Sequence, residues 1–352
     1  MPSILEEVPE RIDIPAAWLG SELARTPDVW HSRLTAADIG ELQDAAKSFL
    51  NSGENVGELT KDKFVLPTLE PRLSELKQTL TKGRGFGLIS GLPVEQFSRE
   101  ISAAIFLGVG AHLGSARSQN AKGHVLGHVR DVGLDISDPK VRIYQTTERQ
   151  SFHTDSVDVV GLLCLKEAME GGRSMLVSTV SLYNEMRKLR PDLAATMFEV
   201  LATDRRGEVP EGQMPWFEVP VLNWHKGLLT GLYQRNYIKS AARFPEAPQL
   251  SEKHIEALDL FDQLANDPKF HLSMELKPGD MQFVYNHSLL HDRTAFRDWP
   301  ELEKRRHLLR LWLAIPDDRE LPPYFTQRYG SIETGNRGGI ITKDTRLTVE
   351  LD

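Results

Sequence analysis

A histidine and an aspartate two residues apart, His153 and Asp155 in the run Phe152-His153-Thr154-Asp155, are the first arrangement in the 352-residue chain able to do chemistry. On an extended strand side-chain direction repeats every second residue, so both can grip one ion. A third ligand has to come from elsewhere. The run Tyr285-Asn286-His287-Ser288-Leu289-Leu290-His291-Asp292-Arg293 offers His287 and His291, which share a face if the run is a strand. Two histidines and one carboxylate on one side of an ion leave three positions open. That facial arrangement suits a non-haem Fe(II) oxygenase, which must admit cosubstrate and oxygen together. An H-x-D triplet alone is a common pattern, and the reading depends on what else the chain carries.

Arg306-His307-Leu308-Leu309-Arg310-Leu311-Trp312-Leu313 reads as a strand with Arg306, Leu308 and Arg310 on one face and His307, Leu309 and Leu311 on the other. Two arginines inside an apolar run are awkward unless they meet anions, and a guanidinium fork suits a carboxylate. Snorkelling arginines or internal Arg–Glu pairs would produce the same pattern. Gly171-Gly172-Arg173-Ser174 makes a turn and begins a strand at Ser174, whose hydroxyl can bind a carboxylate. Gly108-Val109-Gly110 ends a helix-period segment instead of following a strand, which argues against a dinucleotide loop. No G-x-S-x-G elbow and no P-loop occur.

Along the chain the order is H-x-D, G-G-x-S, P-G-D, a distal His, then R-x-x-x-R. This order resembles the taurine dioxygenase-like (TauD/TfdA) family of Fe(II)- and 2-oxoglutarate-dependent oxygenases. Phe152–Ser178 looks like the family's first metal segment and Leu276–Ile315 like its closing segment. The resemblance implies a mixed α and β fold: a double-stranded β-helix (jelly-roll) core with packed outer helices. It implies His153, Asp155 and His291 as iron ligands; His291 is selected over His287 because Asp292-Arg293-Thr294-Ala295-Phe296 belongs to the family pattern. Arg306 matches the arginine that holds the distal carboxylate of 2-oxoglutarate, and Arg310 the second arginine, which touches substrate or cosubstrate in relatives. Ser174 falls where a helping Thr is common, although the Gly-Gly-Arg-Ser turn departs from the usual acidic residue and Thr. The implied reaction is hydroxylation of a small organic substrate by O2, with decarboxylation of 2-oxoglutarate to succinate and CO2. Tyr144, Gln150 and Ser156 flank the ligand pair as candidate substrate contacts. Arg235 belongs to a second cluster, Tyr233 to Tyr237, and Arg293 should face inward two residues past His291. Arg310 favours a substrate with an anionic group. Two other classes compete: a jelly-roll metalloenzyme using its ion as a Lewis acid, and a non-catalytic jelly-roll binding protein. Neither needs a buried arginine at 306.

The elements that must position these residues are legible from periodicity. After Thr35, apolar residues at Ile39, Leu42, Ala46 and Phe49 mark a helix ending near Gly53. Ser98 caps a second helix, Ser181 starts a short one through Leu189, and Pro191 opens another carrying Leu193, Met197 and Leu201. Ser251 precedes the last, through Ala265. Between them lie strand-like runs: Phe86–Ser90, Val141–Thr146, Val159–Leu165, Met175–Thr179, Leu228–Tyr233, Met281–Tyr285 and Leu308–Ile315. Val159–Leu165 is apolar almost throughout and should be buried on both faces.

Composition closes off other classes. Forty percent of residues are hydrophobic and 26% charged, which is globular usage. Fifty acidic against 42 basic residues give a net charge of −8, and no basic stripe appears for nucleic acid. The lone Cys164 allows no intrachain disulfide and no thiolate zinc site. The acidic N-terminus lacks the apolar core of a signal peptide, and no apolar run reaches membrane-spanning length. The expectation is a cytoplasmic enzyme acting on a small molecule, with self-association left open. With no linker or repeat in sight, residues 1–352 should form one oxygenase domain, with residues 1–80 a mostly helical extension packed on it.

Overall fold

In the computed structural model, residues 7–134, 142–341 and 345–351 are described. Strands β1 (His31–Arg33), β2 (Phe86–Ser90), β3 (Ser115–Arg117), β4 (Leu126–Val129), β5 (Gln150–His153), β6 (Val159–Lys166), β7 (Ser174–Ser178), β8 (His271–Met274), β9 (Met281–Tyr285), β10 (Leu289–Arg293) and β11 (His307–Ala314) build two sheets. The larger has seven strands in the order β1-β2-β9-β6-β11-β3, with β4 pairing the same edge of β11 as β3. The smaller has four, β8-β7-β10-β5. Within these sheets only β1 and β2 run parallel.

The sheets are layered between helices, and β6 shows why its sequence is apolar on both sides. Val159, Leu163 and Leu165 join the core shared with α1 (Ala36–Asn51), α2 (Glu70–Thr81) and α3 (Arg99–Leu113). Val160 and Cys164 face the other way, into a core shared with Leu176 of β7, Leu272 of β8 and Leu289 of β10. The outer face of the small sheet, through Met175, Val177 and Leu290, packs on α4 (Thr179–Leu189), α5 (Pro191–Thr196) and α6 (Glu252–Asn266). α3 is buried all round, as an apolar helix between other helices and a sheet must be.

Several boundaries move. Thr35, Ser98 and Ser251 cap their helices as their sequence positions imply. The cap of α4, however, is Ser178, whose hydroxyl accepts from the Ser181 amide at 3.0 Å; Ser181 lies inside the helix. The helix at Pro191 stops at Thr196, and Leu201 belongs instead to a hairpin strand, Val200–Asp204, paired with Trp216–Pro220. Ile143–Gln145 is a 3₁₀ turn, so the strand expected over 141–146 does not form there; Val141 itself lies outside the described residues. The strand expected at Leu228–Tyr233 ends at Gly231. Strands β5, β8 and β10 escape a hydrophobicity reading because His, Asp, Arg and Ser interrupt them.

Candidate active site

The site lies between the two sheets. β10 pairs antiparallel with β5 so that His291 stands directly opposite His153, and the register shifts immediately after, between His291 and Arg293. The two rings lie 4.1 Å apart, centroid to centroid. Asp155 sits just beyond β5, where its amide donates to Asn286 Oδ1 at 2.9 Å. Its two carboxylate oxygens reach one histidine each: Oδ1 is 4.0 Å from His153 Nε2, and Oδ2 is 3.9 Å from His291 Nε2. One donor atom from each residue lies within 4.8 Å of the others.

The surroundings set the protonation states. The Ser151 carbonyl takes a hydrogen bond from His153 Nδ1 at 2.8 Å, which leaves the lone pair on Nε2, the nitrogen facing Asp155. Gln150 Nε2 donates to that same Nε2 at 2.8 Å. Burial lowers the pKa of both imidazoles, that of His291 to about 3. Burial pushes Asp155 upward, but Arg310, the two imidazoles and the Trp312 indole N–H together outweigh it and hold the carboxyl below its usual range. At neutral pH the trio therefore offers two neutral imidazoles and one carboxylate, the donor set of a hexacoordinate divalent transition metal with open positions.

Beside the trio lies a cavity whose lining includes Tyr144, Gln150, Ser174, Arg293, Arg306 and Arg310. Arg306 is only 5% exposed, yet among the described residues its guanidinium makes no hydrogen bond or ion pair, and its Nη1 is buried without a partner. Desolvation lowers its pKa to about 10. Arg293 donates to the carbonyls of Thr146, at 3.1 Å, and Glu148, both neutral acceptors. Phe296 lies beneath both guanidinium groups, at 5.1 Å from Arg306 and 4.7 Å from Arg293. Gly172 lets the Gly-Gly turn close on Arg306: its φ is +68°, and a Cβ there would stand 2.9 Å from Arg306 Nε. Ser174 Oγ donates to Gln282 Oε1 at 2.9 Å.

The remaining sequence candidates divide. Arg310 comes to the trio but is engaged there: its Nε donates to Gln119 Oε1 at 2.7 Å, its Nη1 is 3.8 Å from Asp155, and Tyr144 lies 4.7 Å beneath it. Ser156 faces a different cleft, accepting from Arg328 Nε at 2.7 Å. Arg235 is turned toward α6, pairing with Asp259 at 2.5 Å and Asp262 at 3.2 Å, and lies outside the cavity lining. His287 is in the turn before β10 and bonds Asp158 Oδ1 at 2.7 Å; Arg337 Nε donates to the same oxygen at 2.6 Å. Sequence reasoning missed Gln119, Gln282 and Trp312. Trp312 carried a usable signal, since its even number places it on the face of Arg306, Leu308 and Arg310.

The family model described as "Taurine catabolism dioxygenase TauD, TfdA family" matches residues 52–312. FR-33289 synthase of Streptomyces rubellomurinus is 32% identical over 308 residues, covering 86% of this chain and 90% of that protein. Taurine hydroxylase-like protein SAT17 of Stachybotrys chartarum is 31% identical over 319 residues, covering 87% and 81%. Among solved structures, asparagine oxygenase in complex with Fe(II), 3-hydroxyasparagine and succinate superposes with a TM-score of 0.64 at 17% identity, covering 81% of this chain and 93% of that one. The non-heme iron oxygenase OrfP in complex with Fe and alpha-ketoglutaric acid gives 0.62 at 14%, covering 80% and 93%. The chain belongs to the TauD/TfdA family of Fe(II)- and 2-oxoglutarate-dependent oxygenases.

Proposed function

We propose that this enzyme hydroxylates a small organic substrate with His153, Asp155 and His291 as the ligands of its iron, and Arg306 as the anchor for the distal carboxylate of 2-oxoglutarate. The observation that carries the reading is Arg306: a buried guanidinium with no ion pair among the described residues costs several kcal/mol in desolvation unless a ligand supplies the partner. A non-catalytic binding protein or a Lewis-acid enzyme without 2-oxoglutarate has no use for it. The small-molecule complexes formed by asparagine oxygenase and OrfP support a substrate of metabolite size.

The residues present fit the iron and its cosubstrate. When bound, Fe(II) supplies the redox chemistry that couples decarboxylation of 2-oxoglutarate to oxidation of the substrate by O2. Asn286 and Trp312 hold Asp155 by its amide and one carboxylate oxygen, so the other oxygen is free to turn to the ion. Ser151 keeps His153 in the tautomer that presents Nε2. Arg293 adds positive potential beside Arg306, and Ser174 offers a hydroxyl in the same cavity. Gln150 must yield Nε2 when the ion arrives, and its amide is then free to meet cosubstrate or substrate.

The two facing sheets read as the halves of a jelly roll. With the flanking helices and the strand β1, residues 1–352 read as one domain. The single cysteine supports a cytoplasmic location; among the described residues no helix is long and apolar enough to cross a membrane. The test is release of CO2 from 1-labelled 2-oxoglutarate with and without Fe(II), in wild type and Asp155→Ala. Iron-dependent release that disappears in a folded Asp155→Ala protein is expected. Release that survives this substitution would overturn the ligand assignment.

A further inference from the structure

We propose that a second cleft, bordered by Thr154 and Ser156 on either side of Asp155, is an oxyanion site that takes a phosphate-type group of the substrate. The cleft is also lined by Arg205, Tyr237 and Arg328. This assignment rests on reading Asp155 as a ligand of the iron.

Arg205 is 5% exposed, and all its acceptors are neutral: the carbonyls of Met214 at 3.0 Å, Trp216 at 3.3 Å and Gln327 at 2.5 Å, and Gln213 Oε1 at 2.6 Å. Its Nη1 makes no hydrogen bond among the described residues. Arg328, from a distant part of the chain, lies on the same aromatic ring, Phe217: the two guanidinium carbons are 5.4 and 5.9 Å from its centroid. Burial and then repulsion from Arg328 lower the Arg205 pKa to about 10. Arg142 adds a third cation, donating to Tyr237 Oη at 3.3 Å. Against these stands Glu208, 2.9 Å from Arg142 and 3.7 Å from Arg328. Asp204, also in the lining, is turned to Ser240 at 2.5 Å and Arg243 at 3.1 Å. Among the described residues the cleft is left with a surplus of positive charge, which an anionic ligand would offset.

Geometry chooses the kind of anion. The donors converge from separate elements: the guanidinium groups of Arg205 and Arg328, the Tyr237 hydroxyl, whose proton is free while its oxygen accepts from Arg142, and the Ser156 hydroxyl. A carboxylate is served by one planar fork, as at Arg306. Donors from several directions with more than one excess charge suit a tetrahedral dianion with three acceptor oxygens. Arg310, the arginine expected from sequence to meet an anionic substrate, is already held by Gln119 and Asp155.

Inorganic phosphate is the probe. Calorimetric titration into the metal-free protein should show binding that weakens by about tenfold or more in Arg328→Gln, the effect of losing one charge-assisted contact. Tyr237→Phe should weaken it in the same direction, and Arg306→Gln should leave it unchanged. Circular dichroism checks that each variant is folded. Phosphate affinity that follows Arg306 and ignores Arg328 and Tyr237 would overturn the proposal. A second arm loads the protein with Co(II) and records its visible spectrum. Phosphate should perturb that spectrum in wild type and not in Arg328→Gln. Phosphate binding with an unchanged cobalt spectrum would overturn the substrate role, whereas failure of Co(II) to bind would overturn the metal assignment itself.

Discussion

The indole N–H of Trp312 donates to Asp155 Oδ2 at 2.8 Å, joining the last strand of the seven-stranded sheet to the segment that follows β5 in the other. The proposed metal ligand Asp155, just beyond a strand of one sheet, is thus held by a side chain of the sheet that also carries Arg310. Trp312→Phe removes the hydrogen bond while keeping most of the packing. It should weaken divalent-metal affinity by roughly 10–100-fold, the usual cost of removing such a support. Cobalt(II) titration of wild type and variant gives the ratio directly; equal affinities would mean that Trp312 only packs.

Arg306→Met should act in opposite directions on stability and binding. Without ligand, the variant no longer buries an unpaired cation, so thermal stability of the metal-free protein should rise, by on the order of 1 kcal/mol or more. 2-Oxoglutarate affinity should fall by roughly 2–4 kcal/mol, because a charge-assisted carboxylate contact is lost. Melting curves with and without 2-oxoglutarate measure both. A variant less stable than wild type in the ligand-free state would show that Arg306 has a structural partner.

Gly172→Ala is expected to cost about 1–2 kcal/mol for its left-handed backbone alone. It should also weaken 2-oxoglutarate binding, because the added Cβ would meet Arg306 Nε at 2.9 Å. Gly53, at φ +72° with open space around it, is the control. Gly53→Ala should lose similar stability and leave 2-oxoglutarate binding untouched. If both variants bind the cosubstrate normally, the turn does not position Arg306.

A hydrogen-bonded histidine pair, His307 buried and His128 half-buried, predicts the acid limb of stability. Arg99 donates to His307 Nδ1 at 3.1 Å; His307 Nε2 then donates to His128 Nδ1 at 2.8 Å, and His128 Nε2 to the Glu350 carbonyl at 2.9 Å. Burial, then the nearby Arg99, lowers the His307 pKa from 6.5 to about 3. The unfolded chain therefore takes up a proton below pH 6.5 that the folded chain refuses until about pH 3. The stability from neutral His307 is complete above pH 6.5 and declines through that window, by up to about 1.4 kcal/mol per pH unit. Urea unfolding at several pH values should show a shallower slope in His307→Gln. An unchanged slope would assign the acid limb to other groups.

The sequence by itself determined the chemistry. His153 and Asp155 are close in the chain, so their shared direction follows from strand geometry alone. Arg306, Arg310 and an apolar run bespeak an anion held in an interior, and the order of these motifs identified the family. Helix caps at Thr35, Ser98 and Ser251 were legible because capping is local, decided within three residues. Between His287 and His291 the family pattern already favoured His291, and the tertiary structure supplies a physical reason. Both stand on one short segment, but the turn ahead of β10 delivers His287 to Asp158 and Arg337, while cross-strand pairing puts His291 opposite His153. It also decided that Arg306 is free and Arg310 engaged. Two arginines four apart on one strand face are equivalent in sequence; what separates them is that Gln119 and Asp155, from distant segments, reach one of them, while among the described residues no carboxylate forms an ion pair with the other. The same holds for the cleft of Arg205 and Arg328, whose partners are 123 positions apart and meet only because both pack on Phe217. Local spacing reports which chemistry a chain can carry; long-range packing reports which copy of a residue carries it.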